Sequence, residues 1–155
     1  MNAFKQNLKD QTFVKGIAGS NNLPGQGYNF SAGGITPLVA RPEDKDYSYS
    51  MFIIDEQFIP TYEIEVLAGR NFTSDEADQN WNNLNKVMLN ESAAEQLGFE
   101  NPAAAVGQNI LWGKPFEVVG VTKDYHHMSL REPIKPMIFL ASEADGFFTL
   151  VVDPS

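Results

Sequence analysis

Residues 86–140 constrain this fold more than any other stretch, because start and stop signals follow one another there with almost no slack. Lys86, Val87, Met88 and Leu89 form the short apolar run of a buried strand. Asn90 then offers a side-chain oxygen to the free N–H groups that open a helix, and Glu91 in the first turn is favoured by the helix dipole. Ala93, Ala94 and Leu97 share a face at helical spacing, and Gly98 supplies the left-handed residue that ends the helix. Asn101 and Pro102 open another turn, since proline at the first helical position gives up only an N–H that has no intrahelical partner. Val106 and Gly107 close it. Residues 108–111 and 116–121 flank Trp112, Gly113, Lys114 and Pro115, which read as a hairpin with glycine at the bend.

The rest of the chain is read from weaker signals. Residues 4–11 fit a short polar helix and residues 12–18 a strand. Between 19 and 46 the sequence carries Leu23-Pro24-Gly25, Gly33-Gly34, Pro37 and Pro42, the composition of a long irregular connection with one short strand around 35–40. Residues 47–54 become wholly apolar at Met51, Phe52, Ile53 and Ile54, as a strand entering a sheet interior does. Asp55 is placed to cap a helix that Pro60 keeps short. Thr73, Ser74, Asp75 and Glu76 have the spacing of a capping box, with Phe72 and Ala77 set for a hydrophobic staple. Residues 78–85, with Trp81, read as a loop. Residues 136–140 and 147–152 are strands on either side of Asp145-Gly146, expected to pair as an antiparallel hairpin. About seven strands and four short helices, with neither an internal repeat nor sustained βαβ alternation, predict an α+β domain of mixed sheets and short helices spanning 1–155.

Composition excludes more than it selects. A chain of 155 residues holds one domain with a real core. Twenty acidic against 11 basic residues give a net charge of -9, which repels phosphate backbones and argues against nucleic acid as a partner. The absence of cysteine rules out disulfides and thiolate metal sites. No apolar run reaches the length that spans a bilayer, and the first residues lack a signal-peptide core. Taken literally that is a cytosolic chain. Residues 153–155 follow directly on a strand-like segment, however, so the expectation is a fragment of a larger protein.

Several motifs imitate chemistry and fail on spacing. His126 and His127, after Asp124 and Tyr125, are adjacent, and neighbours on a strand face opposite ways, so they do not ligate one metal. Gly107 to Lys114 resembles a phosphate loop, but five residues separate the glycines and Pro115 stands where a magnesium-binding hydroxyl belongs. Asp75, Glu76 and Asp78 lack the glycine and terminal glutamate of a calcium loop. Ser92 has no flanking glycine and is no nucleophile elbow. Asn29, Asn71 and Asn90 begin glycosylation-type triplets, which carry little information alone. Phe52, Phe58, Tyr62, Phe72, Phe99, Trp112 and Phe116 are core or line a ligand groove. The sequence therefore assigns no catalytic, cofactor-binding or metal residue.

In order along the chain, Phe52-Ile53-Ile54-Asp55, Phe58-Ile59-Pro60-Thr61-Tyr62, Leu67-Ala68-Gly69-Arg70-Asn71-Phe72 and Val87-Met88-Leu89-Asn90-Glu91-Ser92-Ala93-Ala94 resemble the MacB-like periplasmic core domain of FtsX-type ABC transporter permeases. Val106-Gly107-Gln108, the run from Phe116 to His126, Ser129-Leu130 and Ile134-Lys135-Pro136 extend the resemblance, which covers about residues 51–152 and has the flavour of Bacteroidetes-like permeases. It implies a domain inserted after the first membrane helix and facing the periplasm. That domain would have one lobe like the porter modules of efflux pumps and one variable mixed lobe, truncated here at its C-terminus, with 19–46 as a variable region carrying the functional surface. It also implies no chemistry in the domain and no cofactor. The implied partners are the parent permease's membrane helices, a cytoplasmic ATPase subunit or domain, a second copy of the domain and a periplasmic protein. The alternative from the residues alone is a self-contained soluble module binding a carbohydrate or peptide.

Overall fold

The computed structural model describes residues 3, 6, 7, 10–12, 14–20, 30–124, 133–142 and 147–152. Among them are ten strands: β1 (Val14–Ser20), β2 (Phe30–Gly33), β3 (Thr36–Pro37), β4 (Ser48–Ile54), β5 (Val66–Gly69), β6 (Lys86–Asn90), β7 (Asn109–Trp112), β8 (Lys114–Thr122), β9 (Met137–Ala141) and β10 (Phe147–Val152). Four short helices accompany them: α1 (Phe58–Thr61), α2 (Ser74–Ala77), α3 (Glu91–Gln96) and α4 (Pro102–Ala105), with 3-10 turns at Pro42–Asp46 and Trp81–Asn83. The strands form one mixed sheet in the order β10-β1-β4-β9-β6-β8-β7-β3, with β2 also on β4 and β5 also on β8. This is the α+β class expected. The short strand expected around 35–40 is β3, whereas four-residue β2 was not expected, being too short for periodicity to register.

The centre of the sheet is buried on both faces, so its strands read as continuous apolar runs. All five residues of β9 are buried. It runs parallel to β4, from Ser50↔Met137 to Ile54↔Ala141, and antiparallel to β6, with Met88 opposite Phe139. Alternation sorts the side chains into two clusters. Met51, Val87, Leu89, Val118, Ile138 and Leu140 pack on one side with Ala93 and Ala94 of α3, Leu97 just after it and Ala105 of α4. Phe52, Ile54, Met88, Met137 and Phe139 pack on the other with Phe58, Ile59 and Ala77 of α1 and α2.

The caps and glycine stops read between 86 and 113 form as expected, but the hairpin is tighter: Trp112 belongs to β7 and Lys114 and Pro115 to β8, leaving Gly113 alone at the bend. Asn90 Oδ1 accepts from the Ala93 N–H at 2.9 Å, and Asn101 Oδ1 from Ala104 at 2.8 Å. Gly98 has φ +88°, Gly107 +82° and the hairpin glycine Gly113 +73°. The Thr73 capping box is closed, with Glu76 N–H donating to Thr73 Oγ1 (3.3 Å) and Thr73 N–H to Glu76 Oε2 (2.9 Å). Phe72 and Ala77 lie in one cluster as the staple requires.

The hairpin expected between 136–140 and 147–152 does not form. β10 pairs with β1 from Ser20↔Phe147 to Val14↔Val152, while β4 and β1 lie between it and β9. Ser20 is also opposite Ile54, and Ile54 opposite Ala141. The chain therefore leaves the end of β9 and continues in the same direction along β1 instead of folding back. The intervening Asp145 and Gly146 lie outside the described residues, as do His126, His127 and Asn29. Of the expected 4–11 helix, an Asp10 N–H to Gln6 carbonyl bond of 3.2 Å is described.

Candidate functional site

Alternation on β8 puts Lys114 and Phe116 on one face, and the β7–β8 pairing sets Trp112 opposite Lys114. Ala93, Ala94, Leu97 and Ala105 pack on this face in the same cluster as Leu84, Phe116 and Leu140. The face also holds a groove of about 430 Å³ lined by Asn82, Leu84, Trp112, Gly113, Lys114, Phe116 and Leu140. The Phe116 and Trp112 rings have centroids 6.1 Å apart at 36°, and Lys114 Nζ stands 5.4 Å from the Phe116 centroid while donating to the Asn82 carbonyl at 3.2 Å. Of the seven aromatics that the sequence offers as core or groove, Trp112 and Phe116 line this groove. Phe52, Phe58 and Phe72 are core, with Phe52 and Phe58 centroids 5.3 Å apart. Phe99 lines a smaller acidic depression with Glu91, Glu95 and Glu100. Asn82, Leu84 and Leu140 carry no signal in the sequence, because the fold rather than proximity along the chain brings them to the hairpin.

The irregular region after β3 has an anchor that composition does not signal. Arg41 Nη2 donates to Asp44 Oδ1 at 2.5 Å and to the Gln96 carbonyl at 2.6 Å, at the end of α3. Arg41 N–H donates to Asp44 Oδ2 at 2.6 Å. A basic group at a helix C-terminus is favoured by the dipole, so this pair fastens the 3-10 turn onto α3. Leu38 and Val39, before it, are exposed.

The Arg41 guanidinium beside Asp44 holds that buried carboxyl below the usual carboxylate range, against the opposing effect of burial. The stability this adds is fully present above the unfolded aspartate value of about 3.9 and is lost as pH falls through the lowered folded value, because the unfolded chain then binds the extra proton. Urea unfolding of the wild type and Asp44→Asn is therefore expected to show a stability gap that is constant from about pH 7 to 5 and narrows below about pH 4. A gap unchanged down to about pH 2 would contradict the pairing. Arg70 lowers Glu76 in the same direction, but its guanidinium is half exposed and solvent screening reduces that share.

The motifs resembling chemistry have structural partners. Ser92 donates through Oγ to Asp124 Oδ2 (2.5 Å) and through N–H to Oδ1 (3.0 Å), and Asp124 N–H donates to Glu91 Oε1 (3.0 Å), lashing the start of α3 to the end of β8. Glu76 is held by Arg70 at 2.8 Å. Gly107 to Lys114 is a strand and a turn, not a strand-to-helix loop. Asn90 is fully buried and Asn71 Nδ2 donates to the Glu56 carbonyl at 2.8 Å, so both serve the fold. Among the described residues, no three His, Cys, Asp or Glu side chains converge as a metal site. Nor is any helix among them long and apolar enough to cross a membrane.

A family model described as the MacB-like periplasmic core domain matches residues 10–149. The periplasmic region of MacB from Actinobacillus actinomycetemcomitans is similar at TM-score 0.57 and 17% identity, over 97% of this chain and 64% of that one. The extracellular domain of the noncanonic ABC-type transporter YknZ from Gram-positive bacteria is similar at TM-score 0.60 and 16% identity, over 97% of this chain and 72% of that one. At these identities the likeness is one of fold. No match was found among curated proteins.

Proposed function

The chain belongs to the MacB-like periplasmic core domain family, and on that premise we propose that it is the non-catalytic part of an ABC transporter permease that carries membrane-helix motion to a substrate or partner in the periplasm. The observation that carries this reading is the pairing of β1 with β10. Val14 lies opposite Val152, so the first and last described strands run side by side, a geometry compatible with insertion between two membrane helices.

That two-stranded ribbon meets the rest of the sheet at a joint where Ala18 packs into the cluster of Phe52 and Phe58 and the Gly19 carbonyl accepts from the Asp55 N–H at 3.1 Å. Among the described residues, Ser20↔Ile54 is its one strand pairing to β4. Gly19 N–H donates to Asp55 Oδ2 at 2.7 Å, and the Tyr62 and Thr149 hydroxyls bond at 2.6 Å. Beyond it the body resists deformation, since the sheet is buried on both faces and α2, α3 and α4 are tied by side-chain caps. A displacement of the ribbon is therefore passed to the body as a whole. The partners are the permease's own membrane helices, the ATPase that drives them and a second copy of the domain facing this one.

The test is a distance measurement in the intact permease. Val39 is 82% exposed and the chain has no cysteine, so Val39→Cys takes a spin label cleanly once any cysteines elsewhere in the permease are removed. The distance between labels on the two copies is expected to differ between nucleotide-free and ATP-bound states.

A further inference from the structure

We propose that the groove between the β7–β8 hairpin and Leu84 binds a small amphipathic anion, an apolar body carrying one carboxylate. Its lining is divided as such a ligand is. Leu84, Phe116 and Leu140, each at most 5% exposed overall, form an apolar floor, with Trp112 as a wall beside them. An apolar ligand body gains free energy by covering such a floor.

The charge at the rim selects the sign of the ligand. Among the described residues, Lys114 is the charged side chain lining the groove, and no carboxylate lines it. In a chain with 20 acidic and 11 basic residues that is a local reversal, and the acidic depression beside Phe99 shows the opposite character. Glu117, on β8 beside Phe116, faces the other way and is held by Lys86 at 3.3 Å. The Lys114 ammonium donates one N–H to the Asn82 carbonyl and rests over Phe116. It is thus held at the edge of the apolar floor with further N–H groups to offer. A carboxylate there makes a charge-assisted hydrogen bond while its chain lies against Trp112 and Phe116. The site is independent of the coupling function.

The test uses octanoate, octanol and octylammonium, each titrated separately into the 15N-labelled domain and followed by amide and indole NMR shifts. Octanoate is expected to shift Trp112, Gly113 and Lys114 and to bind tightest of the three, with octylammonium weakest. Lys114→Ala is expected to weaken octanoate about three- to fivefold, to the level of octanol, which it leaves unchanged. Lys114→Glu is expected to reverse the order of octanoate and octylammonium. Equal binding of the two ions to the wild type, shifts confined to other parts of the domain, or octanoate affinity unmoved by both substitutions would overturn the proposal. The same spectra report whether each variant is folded.

Discussion

Gly69→Ala is expected to remove about 3 kcal/mol or more of folding stability, a large part of what a domain of this size has. Gly69 ends β5 opposite Gly120 of β8, and the Arg70 N–H donates to the Val119 carbonyl at 2.9 Å. The backbones approach so closely that a Cβ on Gly69 would fall far inside van der Waals contact with the Val119 carbonyl oxygen, and one on Gly120 would do the same with that of Arg70. These are main-chain atoms fixed in a ladder, so they do not yield as the end of a flexible side chain would. Gly69 also has φ +73°, which costs alanine about 1–2 kcal/mol by itself. Gly113 separates the two effects. It has the same φ of +73°, but a Cβ there would meet nothing within 4 Å. Gly113→Ala should show only the conformational cost. Urea midpoints for both variants measure the difference, and equal losses would mean that β5 and β8 have room for a methyl group between them.

Asn90→Ala is expected to cost about 3–4 kcal/mol, more than a helix cap alone is worth. The Asn90 side chain is fully buried and makes three bonds of 2.9 Å. Its Oδ1 accepts from Ala93 N–H at the start of α3 and from Met137 N–H at the start of β9, and its Nδ2 donates to the Lys135 carbonyl. Alanine removes the partner of the buried Ala93 and Met137 N–H groups and of the part-buried Lys135 carbonyl. Asn90→Ser discriminates the cap from the bridge, because serine caps a helix but is too short to reach β9 as well. Thermal or urea unfolding should place serine only about 1 kcal/mol above alanine. A serine variant as stable as the wild type would mean that Asn90 acts as a cap and not as a bridge.

The contrast between these two sites explains what was legible in the sequence. Asn90, Thr73 and Asn101 were readable as caps because a cap acts within three residues of itself. The second half of Asn90's role was not, since Met137 and Lys135 are more than forty residues away. Gly69 and Gly120 likewise look ordinary until β5 is laid on β8. The failed β9–β10 hairpin has the same origin: Asp145-Gly146 is a good local turn signal, but the partner β1 lies at the far end of the sequence. For the candidate groove, Trp112 and Phe116 were visible as aromatics near a hairpin. Lys114 is on their face by strand alternation and could have been found from the hairpin alone, whereas Asn82, Leu84 and Leu140 needed the sheet order. The Arg41–Asp44 anchor lay in a segment whose prolines and glycines signalled only irregularity.

The central claim is that β1 and β10 pass motion to a stiff body. The most direct measurement is the label distance at Val39→Cys between two copies in the intact permease, with and without ATP, in a wild-type background and with Tyr62→Phe plus Asp55→Ala at the joint. The expected result is a nucleotide-dependent change in distance in the wild-type background that shrinks when the joint is loosened, while ATP hydrolysis continues. A distance that stays the same in both nucleotide states, or a change that the loosened joint leaves intact, would contradict it.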